Sequence, residues 1–353
     1  MNALQKLISR VNKLEEQLAG DIAKVAAELE PLPDDRDTAA LEIAWGGATS
    51  TRRKLANCLK DGLRQIKATE GKGIQLNAAR KDLKAAKSRL RIWARMDSIV
   101  RSQLLCEPRE LVPLQDVEVL DQVVELFFDS MHKIANPAAV KQGGDAKSHG
   151  HYHDIPYAMS LFSKMIGAAF RICLALKRER PLRFLDVGSG GGTKVLAATA
   201  RFDVCHGLEY QKEAVTTGRG FLKMLDLEQC KLIRGDALEF LNYGDYDVIY
   251  FYRPLREREK MVQMEERIFA QAQPGTVILA GDGLFADDLP DKGVHELANH
   301  IYVTGRTKDE ALEIGKTAEQ MGLMAPSLGR TKVSRLGYWT PLLEVSARNG
   351  YYL

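Results

Sequence analysis

The feature that most constrains this chain is a series of short apolar segments that starts near residue 181 and alternates with helical stretches. Its first member, Arg183-Phe-Leu-Asp-Val, runs into Gly188-Ser-Gly-Gly-Gly192-Thr193 and then into a helical segment ending at Phe202. Strands that alternate with helices build βαβ units, and those pack as a mainly parallel sheet. Further strands are expected over 203–209, 230–236, 246–252 and 276–281. The second ends in Glu209, the third in Asp236 and Ala237, and the fourth runs into Arg253-Pro254. In open α/β sheets, ligands bind along the carboxyl ends of the strands.

Glycines at a strand-to-helix turn let the backbone approach a ligand closely, and the helix start offers free N–H groups. A dinucleotide fingerprint would place a third glycine at 193; this chain has Thr193 and spaces its glycines G-x-G-x-G from Gly188. Asp186 stands two residues before the first glycine. Glu209, about 20 residues after the turn, is where an acid accepts hydrogen bonds from a ribose diol.

The first 140 residues have another texture. Leu4, Leu7, Val11, Leu14 and Leu18 recur at heptad steps, and Ile22, Val25 and Leu29 continue them after a stutter. This seam over 4–29 predicts a helix with coiled-coil character, hence self-association or docking on another helix. Pro31 and Pro33 end it. Residues 52–101 carry 15 basic and 4 acidic side chains, a local net of +11. They predict two basic helices over 50–104. Another amphipathic helix is expected over 116–135. The whole chain has a net charge of only +3, which argues against a uniformly basic nucleic-acid coat.

The expected organisation is thus a helical domain over 1–140 and an α/β domain over 141–353, joined by the Gly- and His-rich stretch 141–154. The segment 337–350 is expected to close the sheet as an antiparallel edge strand. The most apolar stretch, Met165 to Leu176, is interrupted by Arg171, so no membrane span is expected. The opening segment has no apolar h-region of a secretory signal. Five scattered cysteines without a CxxC fit a reducing, cytoplasmic location.

LDVGSGGG, GLE after strand two, GDA after strand three, then DVIYFY and PGTVILAG resemble the motif order of a class I S-adenosylmethionine-dependent methyltransferase over about 154–283. The resemblance implies a Rossmann-like seven-strand domain and S-adenosyl-L-methionine as cofactor. It implies that Asp186, Gly188, Ser189 and Gly190 border the methionine part. Glu209 and Tyr210 would lie at the ribose, Asp236 and Ala237 at the adenine edge, and Tyr252 at the methyl group. The segment with Asp154, able to cap the next helix, and Tyr157 is placed like the one that closes over the cofactor in seven-strand lysine methyltransferases. FYRPL departs from the Asn/Asp-Pro-Pro-aromatic signature of amino-methylating nucleic-acid enzymes.

The acceptor expected first is a protein or peptide side chain. Two alternatives are an RNA or other nucleic-acid methyltransferase that uses the basic helices, and a cofactor-binding structural or regulatory subunit without turnover. His149, His151 and His153 lie in a polar segment expected to act as a lid, with His153, Tyr157 and Tyr252 as the candidate catalytic residues. These histidines have no Cys or carboxylate partner at ligand spacing, so no metal is expected.

Overall fold

The structure is a computed structural model. It describes residues 3–68, 74–105, 107–113, 120–136, 157–179, 181–322 and 337–351. Two compact units emerge, Met1–Glu107 with Met321–Leu353, and Pro108–Gln320.

The first unit is all-helical: α1 (Ala3–Leu29), α2 (Thr38–Ala68), α3 (Ile74–Leu90), α4 (Trp93–Leu104) and a C-terminal helix, Thr340–Arg348. From Val11 onward most of the heptad seam of α1 is buried within this chain. Val11, Leu18, Ile22, Val25 and Leu29 belong to one core with Leu41, Trp45, Leu55, Leu59, Leu83 and Trp93. The coiled-coil outlet is therefore corrected: the partner of α1 is chiefly α2. The stutter suits this, because a straight helix drifts off a strict heptad stripe and needs a wide apolar face. Of the two basic helices expected over 50–104, the second is broken at 91–92 into α3 and α4.

The segment 337–350 is not a strand. After a short 3-10 turn, Pro341 stands in the first turn of the terminal helix, where its missing N–H is no loss. Leu342, Leu343 and Val345 then point into the helical core beside the fully buried Trp339. The tail thus belongs to the helical unit rather than to the α/β domain expected over 141–353.

The second unit runs α5 (Leu120–Ala135), α6 (Met159–Ala175), β1 (Arg183–Val187), α7 (Thr193–Ala198), β2 (Val204–Glu209), α8 (Lys212–Met224), β3 (Cys230–Arg234), β4 (Val248–Phe251), α9 (Arg258–Gln271), β5 (Val277–Ala280), β6 (Val294–Ala298), β7 (Ile301–Thr304) and α10 (Lys308–Gln320). The terminal helix of the first unit is accordingly α11. The seven-stranded sheet has the order β3-β2-β1-β4-β5-β7-β6. β1 to β5 pair in parallel, and β7 is antiparallel to both β5 and β6. The hairpin β6–β7 takes the edge that the sequence reading gave to 337–350. β4 and β5 are buried throughout, as strands covered on both faces must be.

The domain boundary also moves, from 140 to 107/108. The guanidinium of the buried Arg171 on α6 donates to the carbonyls of Arg109, Glu110 and Ala318. That ties the 108–111 strap to the α/β unit. Helix α5 packs on α8: Phe128 and His132 meet Phe221 edge-on at 6.0 and 5.1 Å, and Asn136 Nδ2 donates to Thr217 Oγ1.

Candidate functional site

The site is built at the carboxyl ends of β1, β2, β3 and β4. At the end of β1 the chain turns through Gly188 and Gly190, both at positive φ (80° and 51°), a region that favours glycine. A Cβ at Gly188 would also lie 2.7 Å from Pro254 Cβ. The N–H groups of Gly188 and Ser189 both donate to Leu208 O on β2. Glu209, buried at the end of β2, accepts from the Gly190 N–H through Oε2 and from the Gln211 N–H through Oε1, each at 2.8 Å. One carboxylate thus ties the glycine turn to the second strand.

After β3, Asp236 Oδ1 accepts from the Leu238 N–H, and the Ala237 carbonyl accepts from the Tyr243 hydroxyl at 2.9 Å. Tyr243 is fully buried and fixes this loop; nothing in the sequence reading singled it out. Tyr210, half-buried, directly follows Glu209.

Asp186 and Tyr250 are register partners on β1 and β4, so both side chains lie on one face of the sheet. Burial pushes the Asp186 carboxyl up to about 7; Lys194 opposes that shift and Glu209 adds to it. Among the described residues, the buried Tyr250 hydroxyl has no hydrogen-bond partner, nor has Ser189 Oγ. Burial and the nearby Asp186 hold the Tyr250 phenol well above its ordinary value. Phe162 of α6 covers this face, with its ring centroid 4.9 Å from that of Tyr250.

Tyr157 and Tyr252, two of the three candidate catalytic residues, come together. Their centroids are 4.7 Å apart, and Tyr157 lies 6.0 Å from Tyr250. Gly281, just after β5, makes room: a Cβ there would stand 2.9 Å from Tyr252 and 3.1 Å from Tyr157. The Tyr157 hydroxyl donates to Met165 Sδ at 3.2 Å, and burial raises its pKa. Beside the pair, Arg253, at φ 41°, forms an ion pair with Asp282. His149, His151, His153 and Asp154 lie outside the described residues. In the first turn of α6 the N–H and hydroxyl of Ser160 donate to Asp121 of α5.

Three further side chains that the sequence reading passed over belong here. Lys194 Nζ donates to the Tyr157 carbonyl at 2.5 Å. His132 Nε2 donates to Gly191 O at 3.1 Å, so α5 braces the glycine turn. The third is Tyr250, the register partner of Asp186. Lys194 had a legible signal, a cation one residue into the helix after the turn; His132 had none, because its contact spans 59 residues. Among the described residues, no group of three or more His, Cys, Asp and Glu side chains is placed to hold a metal. No described helix is long and apolar enough to cross a membrane.

S-adenosylmethionine fits these residues. The turn has no side chains at its glycines, an acid stands at each of the ends of β2 and β3, and buried hydroxyls without partners among the described residues stand near Asp186.

Residues 179–321 match the family model of a methyltransferase domain. Among solved structures, the YcgJ protein from Bacillus subtilis is 19% identical over 32% of this chain and 49% of its own, with a TM-score of 0.26. An RNA methyltransferase from Salinibacter ruber, in complex with S-adenosyl-L-homocysteine, is 18% identical over 44% of this chain and 95% of its own, with a TM-score of 0.33. An amino pentose methyltransferase from Micromonospora echinaspora, bound to S-adenosylmethionine, is 23% identical over 36% of this chain and 58% of its own, with a TM-score of 0.27. The matched region spans about half the length of the first and third of these proteins. The comparison with curated proteins gives no match. The family match, together with the seven-strand order and the glycine turn of β1, makes the α/β unit a class I S-adenosylmethionine-dependent methyltransferase domain.

Proposed function

We propose that the protein transfers the methyl group of S-adenosylmethionine to a side chain of a protein or peptide. The supporting observation is the pair Tyr157 and Tyr252, packed over Gly281 beside the buried Asp186. Two aromatic faces at the strand ends suit a slender, extended acceptor side chain and exclude water around it. Bound S-adenosylmethionine supplies a methyl carbon already activated by its sulfonium. The chain's own residues have only to hold and align it, which is where most of the acceleration of such a displacement arises.

In this reading Asp186, Gly188, Ser189 and Gly190 border the methionine part, Glu209 and Tyr210 the ribose, and Asp236 and Ala237 the adenine edge. Tyr157, whose pKa is raised by burial, stays a neutral hydroxyl and orients rather than removes a proton. Proton removal is assigned to His153, and the protein acts in the cytoplasm.

Glu209→Ala should weaken S-adenosylhomocysteine binding by roughly 1.5–3 kcal/mol, the worth of hydrogen bonds to a charged group. Calorimetry with unchanged affinity would remove the ribose assignment. The acceptor class is read by incubating the protein with isotope-labelled S-adenosylmethionine and a cell extract. Label that protease releases and nuclease does not is the expected result; label released only by nuclease overturns the reading.

A second reading has its own support. On α2, Arg53, Lys60, Arg64 and Lys67 lie on one stripe, and on and just after α3 so do Arg80, Lys84, Lys87 and Arg91; all eight are exposed. Such stripes suit a phosphate backbone, and RNA binding that weakens steeply with salt would favour a nucleic-acid acceptor.

A further inference from the structure

Helix α5 has two apolar faces. Val124, Phe128, Met131 and His132 are half-buried, and Phe128 and His132 pack on Phe221 of α8. On the other side Leu120, Val123, Leu126, Phe127 and Ile134 are each between 57% and 67% exposed. At 3.6 residues per turn these five fall within about 120° of the helix circumference. Leu120, Val123, Phe127 and Ile134 keep the alternating steps of a heptad seam, with Ser130 in the remaining place. A contiguous apolar stripe of this kind is unusual on a protein that stays monomeric. The other exposed large apolar side chains among the described residues stand singly or as one adjacent pair on other elements. The described surface that matches the stripe on α5 is therefore α5 itself.

We propose that α5 is the interface of a symmetric dimer, in which it meets the α5 of a second copy antiparallel. Charge sets the direction. Glu125 and Asp129 are exposed in the middle of the helix, and Lys133 is exposed near its end. A parallel pair sets each of these charges against its own kind. An antiparallel pair about Phe127 sets Leu120 of one helix against Ile134 of the other. It turns the Lys133 end of each helix toward the more acidic half of its neighbour and opposes the two macrodipoles. The same patch then serves both copies, so the assembly closes at two. On the packed side of α5, His132 holds Gly191 O, so the interface stands directly behind the brace of the glycine turn. The proposal is independent of which acceptor is methylated.

The test reads the mass of the full-length protein by sedimentation over the micromolar range. The wild type should run at twice the mass of one chain. Phe127→Glu puts a charge at the centre of the stripe, on an exposed position, and should give a monomer with unchanged far-UV circular dichroism. Ile134→Lys, at the end of the stripe, should move dissociation to at least tenfold higher concentration, so either variant carries the test if the other loses its fold. Orientation is read with a short bis-maleimide. Ser130→Cys, near the two-fold axis, should be bridged above the wild-type background; Leu120→Cys, about 20 Å from its counterpart, should not. A wild type that stays monomeric, or a dimer that both substitutions leave intact, overturns the proposal. Bridging at Leu120→Cys, or none at Ser130→Cys, overturns the antiparallel order.

Discussion

The two units bury polar side chains to different ends. In the helical unit Gln103, Ser346 and Asn349 are buried and bond to one another: Gln103 Nε2 donates to Ser346 Oγ, and Asn349 Nδ2 donates to Gln103 Oε1 and to Leu29 O, all at 3.0 Å. Arg36 adds donors to the carbonyls of Pro31 and Gln103. In the α/β unit Asp186, Ser189 and Tyr250 are also buried, yet two hydroxyls have no partner among the described residues and the carboxyl is pushed up to about 7. A buried polar group left without a partner costs about 1–3 kcal/mol. The first set ties α1, α4 and α11 together. The second set carries a cost that a ligand or water would repay, and it stands at the strand ends where ligands bind.

The largest expected effect falls on the stapled side. Trp339 is fully buried, donates Nε1–H to the Arg89 carbonyl, and meets Trp93 edge-on at 5.6 Å; Trp93 in turn stacks on Trp45 at 4.7 Å. Trp339→Ala should cost about 3–5 kcal/mol, read by urea denaturation. S-adenosylhomocysteine affinity should stay unchanged if the helical unit serves only its own fold. Loss of both would break the comparison.

Asp186 probes the other side. Its folded pKa is raised from an ordinary 3.8 to about 7. Such a group contributes stability that is complete below about pH 4 and is lost as pH rises through 7. One pKa unit corresponds to about 1.4 kcal/mol, so three units bound the effect at about 4 kcal/mol. Lys194, Glu209, Tyr157 and Tyr250 face or surround the group and set where in that range it falls. Asp186→Asn keeps the shape and removes the titration. The variant should therefore gain on the wild type as pH rises from 4 to 8, while its affinity for S-adenosylhomocysteine falls. Parallel stability profiles would show that the Asp186 charge is compensated without a ligand.

How far the sequence foretold this follows the same divide. β1 to β5 and the acids at their ends were legible, because buried parallel strands are continuous apolar runs and their turns carry glycine, proline or an acid. Helix α1 was legible as a helix, but its partner was not: a heptad seam looks the same whether it meets a second copy or α2. The closing hairpin at 294–304 was missed, since Val294-His-Glu-Leu-Ala alternates weakly and its turn, Asn299-His300, lacks glycine. The tail was misassigned because Trp339, Leu342, Leu343 and Val345 fit either period, and only Pro341 marked a helix start. Tyr250 could not be chosen from sequence. Its neighbour Phe251 is equally buried, and only the register with Asp186 separates a core ring from one that faces the site.

The smallest expected effect is also the most direct measure of the stapled network. Gln103→Leu keeps the volume and removes both the donor to Ser346 Oγ and the acceptor for Asn349 Nδ2. Asn349 retains the Leu29 carbonyl, and the Gln103 main-chain carbonyl still accepts from Arg36, so the loss should be about 1–3 kcal/mol, the cost of the groups left unpaired. Removing the partner as well should reverse part of it. In Gln103→Leu with Ser346→Ala no hydroxyl is stranded, and the double variant should be less destabilised than the sum of the singles by about 0.5 kcal/mol or more. Strict additivity in urea titrations would mean that these contacts are independent and replaceable. The helical unit would then have no closed polar network to set against the open one around Asp186, and the contrast would rest on Tyr250 and Ser189 alone.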